Sequence, residues 1–254
     1  MHYLNQKRLG FCVLVFLGVS GTSFGAPKEK KKRNLANKIL TVAENIRFLD
    51  ESEALIGLNT VDGKDVIDYE LKVLSSTDRR AYLEFLAPKE EKGRKMLSAN
   101  KKYWSTFPDS KRVVAINKKE MIGNSAFDMA DIFQIDSKKD YKPKIVKNAE
   151  AKSADQIMLE LSSRHDETPY YRIEYWVEKK GYFPVRAKFY SRTGKHLKTM
   201  RVLERAQLAG KLRPSKTEMV DEIRDNKKSI WHTKTLSPAK VPDTVFSLEF
   251  LRRR

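Results

Sequence analysis

The chain has a single cysteine, Cys12, among its 254 residues. It sits inside the apolar run that opens the sequence, so no thiol follows it. Disulfides, thiolate metal sites and cysteine nucleophiles are excluded from everything downstream. Long hydrophobic runs are scarce as well: the opening run, Leu9 to Val19, is shorter than the roughly 20 apolar residues a spanning helix needs. Histidine is sparse, and none of His165, His196 and His232 stands at ligand spacing from another histidine or a close acidic pair. His165-Asp166-Glu167 before Thr168-Pro169 reads as a polar hairpin loop. No Gly-rich phosphate loop, nucleophile elbow or HExxH motif occurs. The reading is therefore of a protein that is not an enzyme, with no catalytic residues, no metal ligands and no cofactor.

What is present begins at the first residues. Lys7 and Arg8, the run Leu9 to Val19, and then Ser23-Phe24-Gly25-Ala26 make a basic, apolar and small-residue succession. That is the pattern of a secretory signal peptide over residues 1–25, cut after Gly25. Cys12 comes too early in it to end a lipoprotein-type signal, so the expectation is a periplasmic protein with no lipid anchor and no transmembrane helix.

Acidic residues are outnumbered, 33 Asp and Glu against 51 Lys and Arg, for a formal charge of +18. In an exported protein this surplus points to an anionic membrane surface, lipid headgroups or an acidic protein partner rather than to nucleic acid. Residues 26–33 read as a basic flexible tail, and Arg252 to Arg254 form a second basic run.

Asn34 reads as a helix N-cap. Leu35, Ile39, Val42, Ile46 and Leu49 then recur at helical spacing, which predicts an amphipathic helix over about 34–50. From residue 55 the period changes to two. Ile67, Tyr69, Leu71 and Val73 alternate with polar residues, as do Leu83 and Phe85, Ile157 to Leu161, Tyr171 to Val177, and Val185 to Phe189. Residues 212–224 and 228–236 form a further pair around Asp225-Asn226-Lys227. These are antiparallel strands with one wet face. Met121 to Phe133 breaks the alternation and reads as a loop with one or two short helices. Roughly ten one-sided strands with so little helix predict a mainly β (α+β) fold: an open, incompletely closed antiparallel barrel with a helical lid over an apolar concave face.

The order of these pieces resembles the outer membrane lipoprotein-sorting family, the LolA-like carriers. The resemblance rests on Tyr82-Leu83-Glu84-Phe85-Leu86-Ala87-Pro88 with Gly93, on Tyr103-Trp104-Ser105-Thr106-Phe107-Pro108, and on Lys111-Arg112-Val113. Gly123 to Ile132, the hairpin Gly181-Tyr182-Phe183-Pro184-Val185-Arg186-Ala187 with Gly194-Lys195, and Pro242-Asp243-Thr244-Val245-Phe246 with Leu251 complete it, over residues 34–254. It departs from the family pattern at Ser105-Thr106 and in the 123–132 segment.

The resemblance implies a hydrophobic cavity that binds acyl chains reversibly in the periplasm and passes lipoproteins or lipids toward the outer membrane. Its partners would be those chains and an inner-membrane transporter. Hiding hydrocarbon is worth about 0.8 kcal/mol per CH2. The expected cavity lining is Ile67, Tyr69, Leu71, Val73, Leu83, Phe85, Tyr171, Ile173, Tyr175, Val185 and Phe189. The expected lid is Met121, Ile122, Phe127, Met129 and Phe133, where flexible methionines suit variable chains. The competing expectation is a non-enzymatic accessory module of a lipid transporter, docked through its basic surface.

Overall fold

A computed structural model describes residues 26–108, 110, 112–133, 137–146, 155–224 and 227–253. Residues 1–25, on which the expected signal peptide falls, Lys111, Asp225-Asn226 and Arg254 lie outside the described residues.

Helix α1 (Ala26–Arg47) leads into β1 (Ser52–Asp62), β2 (Asp65–Ser75), β3 (Ala81–Ala87), β4 (Lys95–Ala99), β5 (Lys102–Ser105) and β6 (Val114–Ile116). Two short helices follow, α2 (Met129–Phe133) and α3 (Ser137–Asp140). The chain resumes with β7 (Tyr141–Val146), β8 (Gln156–Ser163), β9 (Arg172–Glu178), β10 (Pro184–Tyr190), β11 (His196–Leu208), β12 (Lys211–Asp221) and β13 (Lys228–Pro238). A 3-10 turn, Asp243–Phe246, and α4 (Leu248–Leu251) end it.

All thirteen strands form one antiparallel sheet in the order β6-β5-β4-β3-β2-β1-β13-β12-β11-β10-β9-β8-β7. The first six strands walk outward from β1, and the last seven walk back to pair with it. The sheet stays open, with β6 and β7 as its free edges. Between these edges, the described residues 117–133 and 137–140 cross the inner face. Period-two alternation fixes which face is inside: β1 is buried at every second residue from Ser52 to Thr60. The β11–β12 hairpin turns on Ala209 and Gly210, both at positive φ, the backbone that a two-residue hairpin loop requires.

The main core lies on the concave face. There α1 and the 117–140 crossover pack on β1 to β3 and β7 to β13, with Ile39, Leu71, Leu83, Phe85, Phe127, Tyr141 and Met219 fully enclosed. A smaller core on the outer face joins Tyr82 and Leu97 to Val245, Phe246 and Leu251 of the C-terminal turns. Strand β4, covered on both sides, is buried along its whole length.

Two expectations are corrected. The helix begins at Ala26 instead of at an Asn34 cap, so residues 26–33 continue α1 rather than forming a tail. Pro27 suits the first helical turn, where a missing N–H costs nothing. The buried stripe of α1 is Ala36, Ile39, Leu40 and Ala43, while Leu35 is 43% exposed. The face is turned by roughly one residue from the leucine and isoleucine spacing. Two alanines bring the helix axis close to the sheet, and the bulkier Leu35 is turned outward.

Candidate functional site

The concave face is not filled evenly. Beneath the C-terminal end of α1 lies a cavity of ≈ 150 Å³, bordered by Phe48, Leu49, Ala54, Ile56, Val73, Phe127, Ile132, Trp231 and Leu236. Strand register builds this wall: Ala54 pairs with Val73 on one side and Leu236 on the other, and Ile56 pairs with Thr233. A void of ≈ 90 Å³ shares Phe48, Leu49, Ser75 and Ile132 with it. A third of ≈ 20 Å³ lies beside Arg47, between Ile173, Tyr175, Ala187 and Phe189.

The polar end of the cavity is where α1 stops. Arg213, 3% exposed, reaches from β12 and donates through Nη1 to the carbonyls of Asn45, Ile46 and Phe48, each at 3.0 Å. It thereby caps carbonyls that have no partner within the helix. The Ser52 and Ser75 hydroxyls lie 2.8 Å apart, with Leu49 O 3.2 Å from each and Asp50 O 2.7 Å from Ser75, so their two protons are shared among these oxygens.

The 117–140 segment is held down at several points. At its tip, Asn124 N donates to the Tyr69 hydroxyl at 2.9 Å, and Asn124 Oδ1 accepts from the buried Lys227 at 2.7 Å. Asp62 Oδ2 accepts from both Asn124 Nδ2 and Lys227. These bonds hold the Asp62 carboxyl below its ordinary pKa, the Lys227 bond contributing most. A Cβ on Gly123 would meet the Tyr69 ring at 2.6 Å, and its φ is +60°, so this close seat requires glycine. Further along, Ala126 N donates to Ser229 Oγ at 2.9 Å. Phe127 packs on Trp231 with ring centroids 5.7 Å apart.

The far end carries a buried ionic cluster. Lys198 Nζ lies 2.9 Å from Asp128 Oδ2 and 2.8 Å from Asp131 Oδ2. Asp131 also accepts from the Tyr170 hydroxyl at 2.5 Å and from Asp128 N at 2.8 Å. Two carboxylates thus share one ammonium. Burial, reinforced by the Asp131 charge, pushes Asp128 up to about 7. Burial acts on Lys198 in the downward direction, but the two carboxylates outweigh it and leave its pKa raised. Burial also lifts Tyr170 well above its ordinary value. Arg47 Nη2 adds a hydrogen bond to Asp131 O at 3.2 Å, tying the end of α1 to α2, and Ser137 donates to Glu44 of α1 at 2.7 Å.

The residues expected to line a cavity fall into four groups. Val73 borders the main cavity, and Ile173, Tyr175 and Phe189 border the small void. Tyr69, Leu71, Leu83 and Phe85 are buried in the part of the core that the crossover fills, and Ile67 packs at its margin. Two assignments are corrected. Tyr171 is 47% exposed under the Arg192 guanidinium, because it precedes β9 and lies beyond the cover; its neighbour Tyr170 is the buried one. Val185 is only half-buried, because a bulge between Pro184 and Arg186 breaks the alternation.

Of the expected lid residues, Ile122, Phe127 and Met129 are buried against the core and Met121 is half-buried. Phe133 ends α2, and its side chain lies outside the described residues. Sequence reasoning missed Phe48, Ala54, Ile56, Trp231, Arg47 and Arg213. The signal for Ala54 and Ile56 was there, in the alternation of residues 52–60. Nothing local marks Arg213.

A second feature lies at the other end of α1. A groove of ≈ 510 Å³ between the helix and the free edge β7 carries Lys30, Lys32, Arg33, Lys142 and Lys144 against one acid, Glu29. Some cations elsewhere on the sheet are paired across strands, as in Arg201–Glu218, Lys216–Glu204 and Lys234–Glu70. No ion pair involves the five groove cations among the described residues. No helix among the described residues is long and apolar enough to cross a membrane.

A family model described as "-like: Uncharacterized protein" matches residues 77–253. No curated protein sequence matches the chain. Among solved structures, a LolA superfamily protein from Nitrosomonas europaea superposes with a TM-score of 0.76 at 24% identity, over 85% of this chain and 98% of that one. An outer membrane lipoprotein-sorting protein domain from Vibrio parahaemolyticus gives 0.74 at 20% identity, over 87% and 100%. A DUF1329 family protein from Desulfovibrio piger gives 0.77 at 17% identity, over 87% and 99%. At these identities the likeness is one of fold.

Proposed function

The chain belongs to the family matched over residues 77–253 and has the fold of the LolA-like lipoprotein-sorting proteins, and from that premise we propose that it is a periplasmic, non-enzymatic carrier of acyl chains. The observation that carries this reading is the largely apolar cavity under the end of α1, part of whose wall belongs to a segment held down through side-chain hydrogen bonds and one buried ionic cluster.

A cavity of about 150 Å³ holds a molecule the size of benzene. Pockets for larger ligands run to roughly 300–1,000 Å³. A full acyl chain therefore enters only when the cover formed by residues 117–133 lifts and joins the separate voids. Each CH2 taken out of water returns about 0.8 kcal/mol, so a chain of ten or more carbons outweighs the loss of several hydrogen bonds worth about 1 kcal/mol each. The cargo is a lipoprotein or a lipid on its way to the outer membrane, received from an inner-membrane transporter. The basic groove beside β7 supports a second element of the reading, contact with an anionic membrane surface. Each basic residue near such a surface contributes about 1 kcal/mol. Pro143 lacks a ladder N–H, which disfavours an added peptide strand on that edge.

The test is native mass spectrometry of the purified protein followed by organic extraction, with uptake of a fluorescent fatty acid measured in parallel. Co-purified lipid or acylated protein, together with saturable uptake, is expected. Clean protein that also takes up no fatty acid overturns the carrier reading.

A further inference from the structure

Two guanidinium groups, Arg47 and Arg213, stand in the wall of the main cavity, and no Asp or Glu is among the residues that line it. Arg213 is buried there, where a charge is expected beside its counter-charge, and Arg47 is half-buried. Capping α1 explains only part of Arg213. The described hydrogen bonds of its guanidinium all leave from Nη1, and Nε is buried with no hydrogen-bond partner. Arg47 uses Nη2 on the Asp131 carbonyl and lies over the Phe48 ring.

The cavity is also polarised along its length. Arg213, Ser52 and Ser75 gather where α1 ends, and Ile56, Phe127 and Trp231 form the apolar part. On β1, Ser52 and Ile56 are four residues apart, about 14 Å at the usual rise per residue.

Resting on the carrier reading, we propose that the cavity selects an amphiphile with a carboxylate head, seated against Arg213 and Arg47 with its chain toward Ile56, Phe127 and Trp231. A carboxylate supplies the missing counter-charge and accepts in the plane of a guanidinium, the pairing this fork-shaped donor favours. A fatty alcohol or a methyl ester fills the apolar part but leaves both cations without an anion among the described lining residues.

The test compares octanoate and palmitate with the alcohol and the methyl ester of the same chain length, by competition against a fluorescent fatty acid on the unaltered protein. The acids are expected to bind roughly tenfold more tightly or better, as hydrogen bonds to charged groups do. Arg213→Gln, whose amide can still cap α1, should bring acid and alcohol within about threefold, and Arg47→Gln should narrow the gap less. Circular dichroism melting monitors the fold of each variant. If the alcohol and ester bind as tightly as the acid, the carboxylate site is overturned while the carrier reading stands. If no amphiphile binds at all, both fall. The unaltered protein decides the question even if Arg213→Gln does not fold.

Discussion

One concave face has two unlike halves. Over β2 and β3 the crossover is seated closely. Tyr69 and Phe85 meet edge to face at 5.8 Å, and Leu71, Leu83 and Phe85 are completely enclosed. Over β1, β12 and β13, beneath the end of α1, the same face is hollow. Both halves present apolar side chains from alternating strands, and the hollow half adds Arg213, Ser52, Ser75, Thr217 and Thr233. The difference lies in the cover. The 121–129 stretch sets Ile122 and Met129 into the core, while over the other half only Phe127 and Ile132 reach the wall and α1 ends in a cap of arginine and serine. Apolarity therefore does not locate a binding site; the reach of the covering element does.

The largest test of that contrast is a matched pair of substitutions. Phe85→Ala, in the filled half, should cost about 3–5 kcal/mol in thermal or urea unfolding, the usual penalty for a cavity in a packed core. Ile56→Phe, in the hollow half, should cost less than about 1.5 kcal/mol, because the void receives the ring. It should nevertheless reduce fatty acid uptake roughly tenfold. Equal stability costs would erase the distinction between the halves.

A smaller effect is expected from pH. Asp128 has a pKa raised by burial to about 7, so the closed state holds its proton more tightly than an open or unfolded one. Its contribution is complete in acid and is lost as the pH rises toward and through about 7. Hydrogen exchange of the 121–133 amides, corrected for the intrinsic pH dependence, should show more frequent opening at pH 8 than at pH 5.5. Asp128→Asn should flatten that difference. An opening frequency independent of pH in the unaltered protein would remove the ionic cluster from the control of the cover.

The smallest effect concerns the link between the halves. Arg47→Met removes the hydrogen bond from α1 to Asp131 O, a half-exposed contact worth about 1 kcal/mol. Limited proteolysis within the crossover should accelerate about fivefold, with little change in global melting. An unchanged cleavage rate would mean that the ionic cluster and the Asn124 contacts suffice to hold the cover.

Much of this architecture was legible in the chain. The alternation in residues 67–73, 83–85, 157–161 and 173–177 assigns strands and their inner faces, because a pleated strand turns successive side chains to opposite sides. The break at Met121 to Phe133, opened by Gly123-Asn124, marks the crossover. The misreadings have local causes. Periodicity counts large residues, so it missed Ala36 and Ala43, which are wholly buried. It also runs through Val185, where a bulge interrupts the pleat, and through Tyr171, where the strand has not yet begun.

By itself the sequence determined an open, one-sided β surface, a covering segment and an excess of positive charge, because burial periodicity and composition are local properties. Only the tertiary structure decided where the face stays hollow and which charges stand together there. Arg47 and Arg213 are far apart in the chain, and so are Asp131 and Lys198. Packing α1 and α2 on one sheet of distant strands is what brings each of them to its partner.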